Sequence, residues 1–166
     1  ADQGLMRLGA SNAVRGSTAP VEELRYILKD SCSVGLIVQS AKLWKDLSLN
    51  EDDIKQLKFV LQIEDEPIDG LIGWDEFLLR GSEQQPIESF KGSSEDISRS
   101  SIATILYTSG TTGKPKGVPL THQNLVHQIR SLACIANPEP GTPLLSVLPI
   151  WHSYERSAEY YFFSCG

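Results

Sequence analysis

A stretch of ten residues without a large apolar side chain separates two apolar segments of the chain. It runs from Thr108 to Gly117 and reads TSGTTGKPKG. Its glycines permit positive φ and a close approach of backbone N–H groups to an anion, while its hydroxyl and ammonium groups supply further donors. The flanking segments, 102–107 and 117–120, have the composition of strands. The sequence therefore predicts two strands joined by a loop that suits a polyphosphate.

The spacing within this loop separates it from two common nucleotide-binding motifs. Pro115 biases Lys114 away from the helical region, so the loop should not run directly into a helix as a Walker A loop does. Neither G-x-x-x-x-G-K-[S/T] nor G-x-G-x-x-G occurs anywhere in the chain. The alternative to a phosphate site is a flexible surface loop rich in Gly, Ser and Thr.

Helical and strand patterns alternate through the rest of the chain. Helices are predicted after Pro20, after an N-cap at Asn50, around Trp74–Leu79, from His122 to Ala136 behind an N-cap at Thr121, and after a turn at 149–153. Strands are predicted at 34–38, 58–63, 102–107, 117–120 and 144–148. This alternation predicts an α/β fold with helices layered on a largely parallel sheet. Residues 81–101 are polar and are predicted to form a surface loop inside that domain.

Composition and charge limit the classes to which the protein can belong. The 166 residues are 40% hydrophobic and 22% charged, which is typical of a globular domain and excludes collagenous, wholly disordered and disulfide-scaffold proteins. A formal charge of -6 argues against a nucleic-acid partner. The three cysteines form no CxxC pair, which indicates neither a zinc site nor a disulfide framework and favours a reducing compartment. No apolar run is long enough to span a bilayer. The first residue is not Met and the last segment is apolar, so we expect an excerpt of a longer chain.

Two segments resemble motifs of a known superfamily. Tyr107–Val118 is similar to the phosphate-loop signature of the acyl-adenylate-forming, or AMP-binding, enzymes. Leu148–Glu159 follows with a His-x-x-Glu-Arg-x-x-Glu pattern that resembles the long-chain fatty acid ligase branch. Residues 1–4 and 12–17, together with 151–156, look most like the acyl-[acyl-carrier-protein] synthetases of plastids and cyanobacteria.

The resemblance implies a fold, a reaction and a set of ligands. Residues 1–166 would be a fragment of the large N-terminal domain, without the C-terminal lid domain, and would be inactive alone. A fatty carboxylate would attack the α-phosphorus of ATP to give acyl-AMP, and a thiol of CoA or acyl-carrier protein would then form the thioester. ATP and Mg²⁺ are the implied cofactors, and peripheral membrane contact is plausible for a lipid substrate. The compartment stays open between cytoplasm and plastid.

The resemblance also assigns roles to individual residues. The phosphate-binding set is Thr108, Ser109, Gly110, Thr111, Thr112, Gly113, Lys116 and Gly117. Within it, Thr111 is expected near Mg²⁺. Lys114 falls on a variable position of the motif and is expected to be solvated. His152 matches a position at the acyl-adenylate pocket, where a gating or positioning role is expected.

Several alternatives remain open at this point. Trp151 and Tyr154 either line an acyl tunnel or belong to the core, and Glu155, Arg156 and Glu159 are expected to form a salt-bridged helix face. His122 and His127 are expected to be surface or capping residues. A non-catalytic nucleotide-binding or interaction module is the alternative function. A serine hydrolase using Ser109 or Ser153 is disfavoured because the chain has no G-x-S-x-G motif.

Overall fold

Strands and helices alternate along the folded chain. The structure is a computed structural model that describes residues 2–64, 66–84, 97–108 and 113–166. The elements in these ranges are α1 (Asp2–Arg7), α2 (Val21–Asp30), β1 (Gly35–Val38), α3 (Ala41–Leu47), α4 (Glu51–Gln56), β2 (Phe59–Gln62), β3 (Ile72–Gly73), α5 (Trp74–Ser82), β4 (Ile102–Thr108), β5 (Lys116–Thr121), α6 (His122–Leu132) and α7 (Ser153–Cys165). Among them, no helix has both the length and the apolar character needed to cross a membrane.

The first sheet is parallel and has the order β1-β2-β3. Leu36 lies opposite Val60, and Leu61 lies opposite Ile72. Apolar side chains of this sheet and of the neighbouring helices form one core, built on Val38, Leu47 and Val60 with Val21, Leu24, Leu36, Trp44, Leu49, Leu57 and Leu71 packed around them. Parallel strands need crossover connections, which α3 and α4 supply between β1 and β2. This part of the chain confirms the predicted α/β layering.

Side-chain caps fix the starts of four helices of the described residues, of which three are α3, α4 and α6. The Asn50 side chain accepts a hydrogen bond from the backbone N–H of Asp53 at 2.8 Å, which confirms the predicted cap. Thr121 accepts from the backbone N–H of Asn124 at 3.2 Å, and the Asn124 side chain accepts in return from the backbone N–H of Thr121 at 2.9 Å. Such a reciprocal pair satisfies two backbone donors that a helix start leaves free. Ser40 caps α3 in the same way, although that helix was not predicted.

The second sheet is an antiparallel pair formed by β4 and β5. Leu106 lies opposite Val118, and Tyr107 lies opposite Gly117. The connection between these strands is too short for the crossover that a parallel pair requires, so the chain turns back on itself. The fold is therefore a parallel sheet with an antiparallel hairpin beside it, and one isolated parallel bridge joins Asn12 to Thr104.

Some predicted boundaries were wrong. Residues 144–148 form no strand, and the exposed fractions of Leu145 and Val147 are 83% and 73%. No strand of the described ranges pairs with this segment, so its apolar pattern has no sheet to join. Helix α6 ends at Leu132 rather than at Ala136. Of the predicted surface loop, residues 81–82 belong to α5 and 85–96 lie outside the described residues.

Candidate functional site

The two arms of the glycine-rich loop leave the same end of the β4–β5 hairpin. Thr108 ends β4 and lies opposite Lys116, which begins β5, and both residues are exposed. Gly113 has a φ of +86°, as its place in a tight loop predicts, and a Cβ at this position would meet no atom within 4 Å. Four predicted phosphate-binding residues, Ser109, Gly110, Thr111 and Thr112, lie outside the described residues. The described arms therefore hold the loop at an exposed sheet end.

Gly117 is needed for close packing, whereas the sequence indicated that it would adopt a positive φ. Its φ does not lie in the left-handed region. A Cβ on Gly117 would lie 3.0 Å from Cγ2 of Ile105 and 3.1 Å from Cζ of Tyr107. The missing side chain thus lets the Tyr107 ring lie across β5, directly before the loop.

The Tyr107 ring is buried and its hydroxyl reaches the end of helix α2. This hydroxyl donates a hydrogen bond to Oδ2 of Asp30 at 2.8 Å. Burial first, and then the hydrogen bond and the negative charge of Asp30, raise the pKa of Tyr107 above its ordinary value of 10.0. The phenol therefore stays protonated and remains a donor at neutral pH. The first arm of the loop is attached to α2 by this bond.

The second arm of the loop also approaches α2. The Lys114 ammonium lies 5.8 Å from the centre of the Tyr26 ring, within the range of a cation–π contact. Lys114 is exposed, as predicted, but the ring contact was not foreseen. An open cavity of about 670 Å³ lies beside this arm, with Arg15, Glu22 and Tyr26 among its lining residues.

A buried arginine connects α7 with the start of the chain and with β4. Arg156 is 1% exposed. Its guanidinium forms an ion pair with Asp2 at 2.5 Å and donates to Oη of Tyr160 at 2.7 Å. It also donates to Oγ1 of Thr104 and Oδ1 of Asn12, each at 2.8 Å. Since Thr104 lies in β4, four residues before Thr108, the cluster joins α7 to the strand that leads into the loop.

This cluster corrects the predicted salt-bridged helix face. Arg156 pairs with Asp2 rather than with Glu159, and Glu155 is buried. Glu159 instead accepts a hydrogen bond from the Ser146 hydroxyl at 2.9 Å. Burial, followed by the hydrogen bond that Tyr160 donates to Asp2, raises the pKa of Tyr160 above 10.0. The His-x-x-Glu-Arg segment therefore contributes buried polar contacts that join distant parts of the chain.

His152 caps helix α7. Its Nδ1 accepts a hydrogen bond from the backbone N–H of Tyr154 at 3.3 Å, and its side chain is exposed. When the imidazole is neutral, this bond assigns its proton to Nε2. The cap uses Nδ1, so Nε2–H is left as a donor for a ligand. Nδ1 thus accepts from a backbone amide and not from the Ser153 hydroxyl. This geometry gives no support to a catalytic serine–histidine pair at Ser153.

The aromatic residues beside His152 differ in their surroundings. Trp151 is half-buried, and its ring lies over Gly16, where a Cβ would come within 2.4 Å of the indole. Trp151 thus packs against the segment around residue 16, which favours its packing role over a tunnel role. Tyr154 is 65% exposed and belongs to no core of the described residues.

The donor set of the loop fits an anion. The two described arms present Thr108, Lys114 and Lys116 without a carboxylate, and hydroxyl and ammonium donors suit phosphate oxygens. In the described part of the chain, no three His, Cys, Asp or Glu side chains are grouped to hold a metal ion. His127 is exposed and His122 is half-buried at the start of α6, so neither belongs to such a group.

Comparison with known proteins gives relatives for the whole segment. A family described as "AMP-binding enzyme" matches residues 1–166. The chain is 42% identical over 179 residues to "Probable acyl-activating enzyme 16, chloroplastic" of Arabidopsis thaliana, an alignment that covers 100% of this chain and 25% of that protein. It is 36% identical over 178 residues to "Long-chain-fatty-acid--[acyl-carrier-protein] ligase AEE15, chloroplastic" of the same organism, covering 99% of this chain and 24% of that protein.

A solved structure supports the fold. The N-terminal domain of FACL13 from Mycobacterium tuberculosis, crystallised with an inhibitor, matches with a TM-score of 0.73 and 24% identity. The match covers 98% of this chain and 38% of that domain structure. The chain spans about a quarter of the length of the curated relatives it matches.

Proposed function

Because this chain belongs to the AMP-binding enzyme family, we propose that it carries the ATP phosphate site of a ligase that activates a long-chain fatty acid. The observation that carries the proposal is the pair of described loop arms, which leave one end of the hairpin and present the exposed hydroxyl of Thr108 and the exposed ammonium of Lys116 without a carboxylate. One matching relative is named as a long-chain-fatty-acid ligase, and that name supports long-chain fatty acids as the substrate class. Adenylation activity and its substrates are proposed for the full-length protein that carries residues 1–166.

The first step joins two anions. A carboxylate oxygen of the fatty acid attacks the α-phosphorus of ATP, a P–O bond to the β-phosphate breaks, and pyrophosphate leaves with the electron pair. Charge builds up on the leaving pyrophosphate, so donors placed on its oxygens stabilise the transition state. We assign that role to the Lys116 ammonium, to the hydroxyls of Thr108, Ser109, Thr111 and Thr112, and to the backbone N–H groups of Gly110, Gly113 and Gly117.

Two further assignments concern Mg²⁺ and His152. The Thr111 hydroxyl would be a ligand of a magnesium ion that enters with the nucleotide and offsets its phosphate charge. His152 would position the acyl-adenylate, because the cap uses Nδ1 and leaves Nε2–H free to donate to an oxygen of the ligand. Neither residue needs to change its protonation state for these roles.

The second step transfers the acyl group to a thiol. The thiol sulfur attacks the acyl carbon and its proton passes to solvent, the C–O bond to the AMP phosphate breaks, and AMP leaves with that electron pair as the thioester forms. We propose acyl-carrier protein or CoA as the acceptor, since a relative's name specifies acyl-carrier protein. The chloroplastic names of two relatives support a plastid as the compartment.

Exchange of labelled pyrophosphate into ATP, driven by a fatty acid, tests the proposal. Lys116→Ala in the full-length protein should lower kcat of exchange by about 100-fold or more, as loss of a donor on transition-state charge does. Lys114→Ala is the matched control, with the same change of charge two residues away, and should lower it less than about threefold. Equal losses in both variants would refute the assignment of Lys116. Nucleotide binding without acid-dependent exchange would favour the non-catalytic module.

A further inference from the structure

We propose that Asp30 is a positioning residue of the ATP site, which holds the two described arms of the phosphate loop, at Tyr107 and Lys114, close to helix α2 through Tyr107 and Tyr26. The inference rests on the proposed function of the loop and adds a residue that the loop motif does not contain. Asp30 lies at the end of α2, and its role follows from which side chains reach its two oxygens.

The first contact holds the arm that enters the loop. Tyr107 directly precedes Thr108, and its hydroxyl donates to Oδ2 of Asp30 at 2.8 Å. The ring is 6% exposed and lies over Gly117 of the opposite strand. Because the ring is confined in this way, the bond to Asp30 fixes the strand end and not merely a mobile side chain.

The second contact holds the arm that leaves the loop. Tyr26 donates to Oδ1 of Asp30 at 3.1 Å from one turn earlier on α2. The ring of this same tyrosine lies 5.8 Å from the Lys114 ammonium. Asp30 thus binds one tyrosine on each side, and each tyrosine contacts a different arm of the loop.

Helix stability does not explain a carboxylate at this position. The carboxyl-terminal end of a helix carries partial negative charge, so an acidic side chain there is unfavourable. Asp30 is the last residue of α2 and also has no ion pair among the described residues, whereas the neighbouring Lys29 pairs with Asp53 at 3.1 Å. The two tyrosine hydroxyls are the contacts that the Asp30 carboxylate makes.

Positioning of this kind changes affinity more than turnover. If only a fraction of molecules holds the loop ready for phosphate, the apparent affinity for ATP falls by that fraction. At saturating ATP the bound phosphates order the loop, so kcat is nearly preserved. Loss of the Tyr107 hydrogen bond should therefore raise KM for ATP about three- to tenfold, the range expected for one hydrogen bond to a solvent-exposed carboxylate.

The test uses Tyr107→Phe, Asp30→Ala and Asp30→Asn in the full-length protein, with acid-dependent exchange as the assay. We expect Tyr107→Phe and Asp30→Ala to raise KM for ATP about three- to tenfold with kcat changed less than about twofold. Asp30→Asn keeps one acceptor oxygen, which can accept from only one of the two tyrosine hydroxyls, so it should raise KM for ATP less than Asp30→Ala does. The double variant Tyr107→Phe/Asp30→Ala should have a KM for ATP no higher than that of either single variant.

Tyr161→Phe is the matched control, since its buried hydroxyl donates to the Ala136 carbonyl, away from the loop. This variant should lower thermal stability about as much as Tyr107→Phe and leave KM for ATP unchanged. A wild-type KM in Tyr107→Phe and Asp30→Ala, or an equal rise in Tyr161→Phe, would overturn the positioning role. Dissociation constants for ATP, measured on the same variants, distinguish the role of Asp30 from the proposed ligase activity. If the variants bind ATP more weakly but the wild-type protein shows no acid-dependent exchange, the proposed ligase activity is refuted and the role of Asp30 is supported.

Discussion

Replacement of Arg156 by methionine should destabilise the fold strongly. Methionine has a comparable unbranched stem, so the variant removes the guanidinium while leaving most of the buried volume filled. Arg156 is 1% exposed, and its head group donates to Asp2, Asn12, Thr104 and Tyr160. Loss of this group leaves the Asp2 carboxylate, whose side chain is 23% exposed, without its cation.

The expected magnitude follows from that environment. Removal of one partner from a buried ion pair costs about 3–5 kcal/mol, because the remaining charge and polar groups lose their compensation. Equilibrium urea unfolding, followed by far-ultraviolet circular dichroism, measures the free energy of unfolding directly.

An exposed ion pair of similar length supplies the control. The Lys42 ammonium lies 2.6 Å from Asp46, against 2.5 Å between Arg156 and Asp2, but the Lys42 side chain is 84% exposed. Lys42→Met should therefore cost about 0.5 kcal/mol or less. A cost below about 1 kcal/mol for Arg156→Met would refute the argument that burial, rather than distance, determines the strength of this cluster.

The remaining predictions concern pH, the helix cap and a close packing contact. Ionisation of Tyr107 and Tyr160 should add no pH dependence to stability well below pH 10 and should lower stability as the pH rises above it, because the unfolded chain then releases phenol protons that the folded chain retains. The free energy of unfolding should fall by about 1.4 kcal/mol per pH unit for each tyrosine. Urea unfolding between about pH 10 and pH 11 measures this dependence, and the same dependence in Tyr160→Phe as in wild type would contradict it. His152→Asn should keep the cap and stability within about 0.5 kcal/mol while lowering acid-dependent exchange; full exchange activity would exclude the pocket role. Gly16→Ala should destabilise the protein by about 1–3 kcal/mol, since its Cβ would lie 2.4 Å from the Trp151 ring. Trp151→Leu should relieve that loss in thermal melts, and an equally low Tm in the double variant would argue against the contact.

Local chemistry allowed the two strands beside the glycine-rich loop and the helix caps at Asn50 and Thr121 to be predicted. The glycine-rich sequence between two strand-like segments predicts a loop that joins two strands. The two predicted strands are confirmed as β4 and β5. Asn50 and Thr121 were predicted as caps because their side chains act on backbone groups three residues away, a distance that is visible in sequence. These features depend on neighbours along the chain, although the equally local cap of Ser40 on α3 was not predicted.

Features that depend on distant partners were not accessible. Arg156 and Asp2 are 154 positions apart, so the i, i+3 spacing to Glu159 suggested a surface pair where the fold places a buried cluster. Tyr107 and Asp30 are 77 positions apart, and nothing in either segment indicates the other. The apolar run at 144–148 predicted a strand because periodicity carries no information on whether a partner strand is present.

A structure of the full-length protein with ATP bound tests the central claim most directly. We predict that the β- and γ-phosphates lie against the loop from Thr108 to Gly117, with the Lys116 ammonium within about 3 Å of a phosphate oxygen. Phosphates bound elsewhere, with Lys116 directed into solvent, would contradict the assignment of this loop as the nucleotide site.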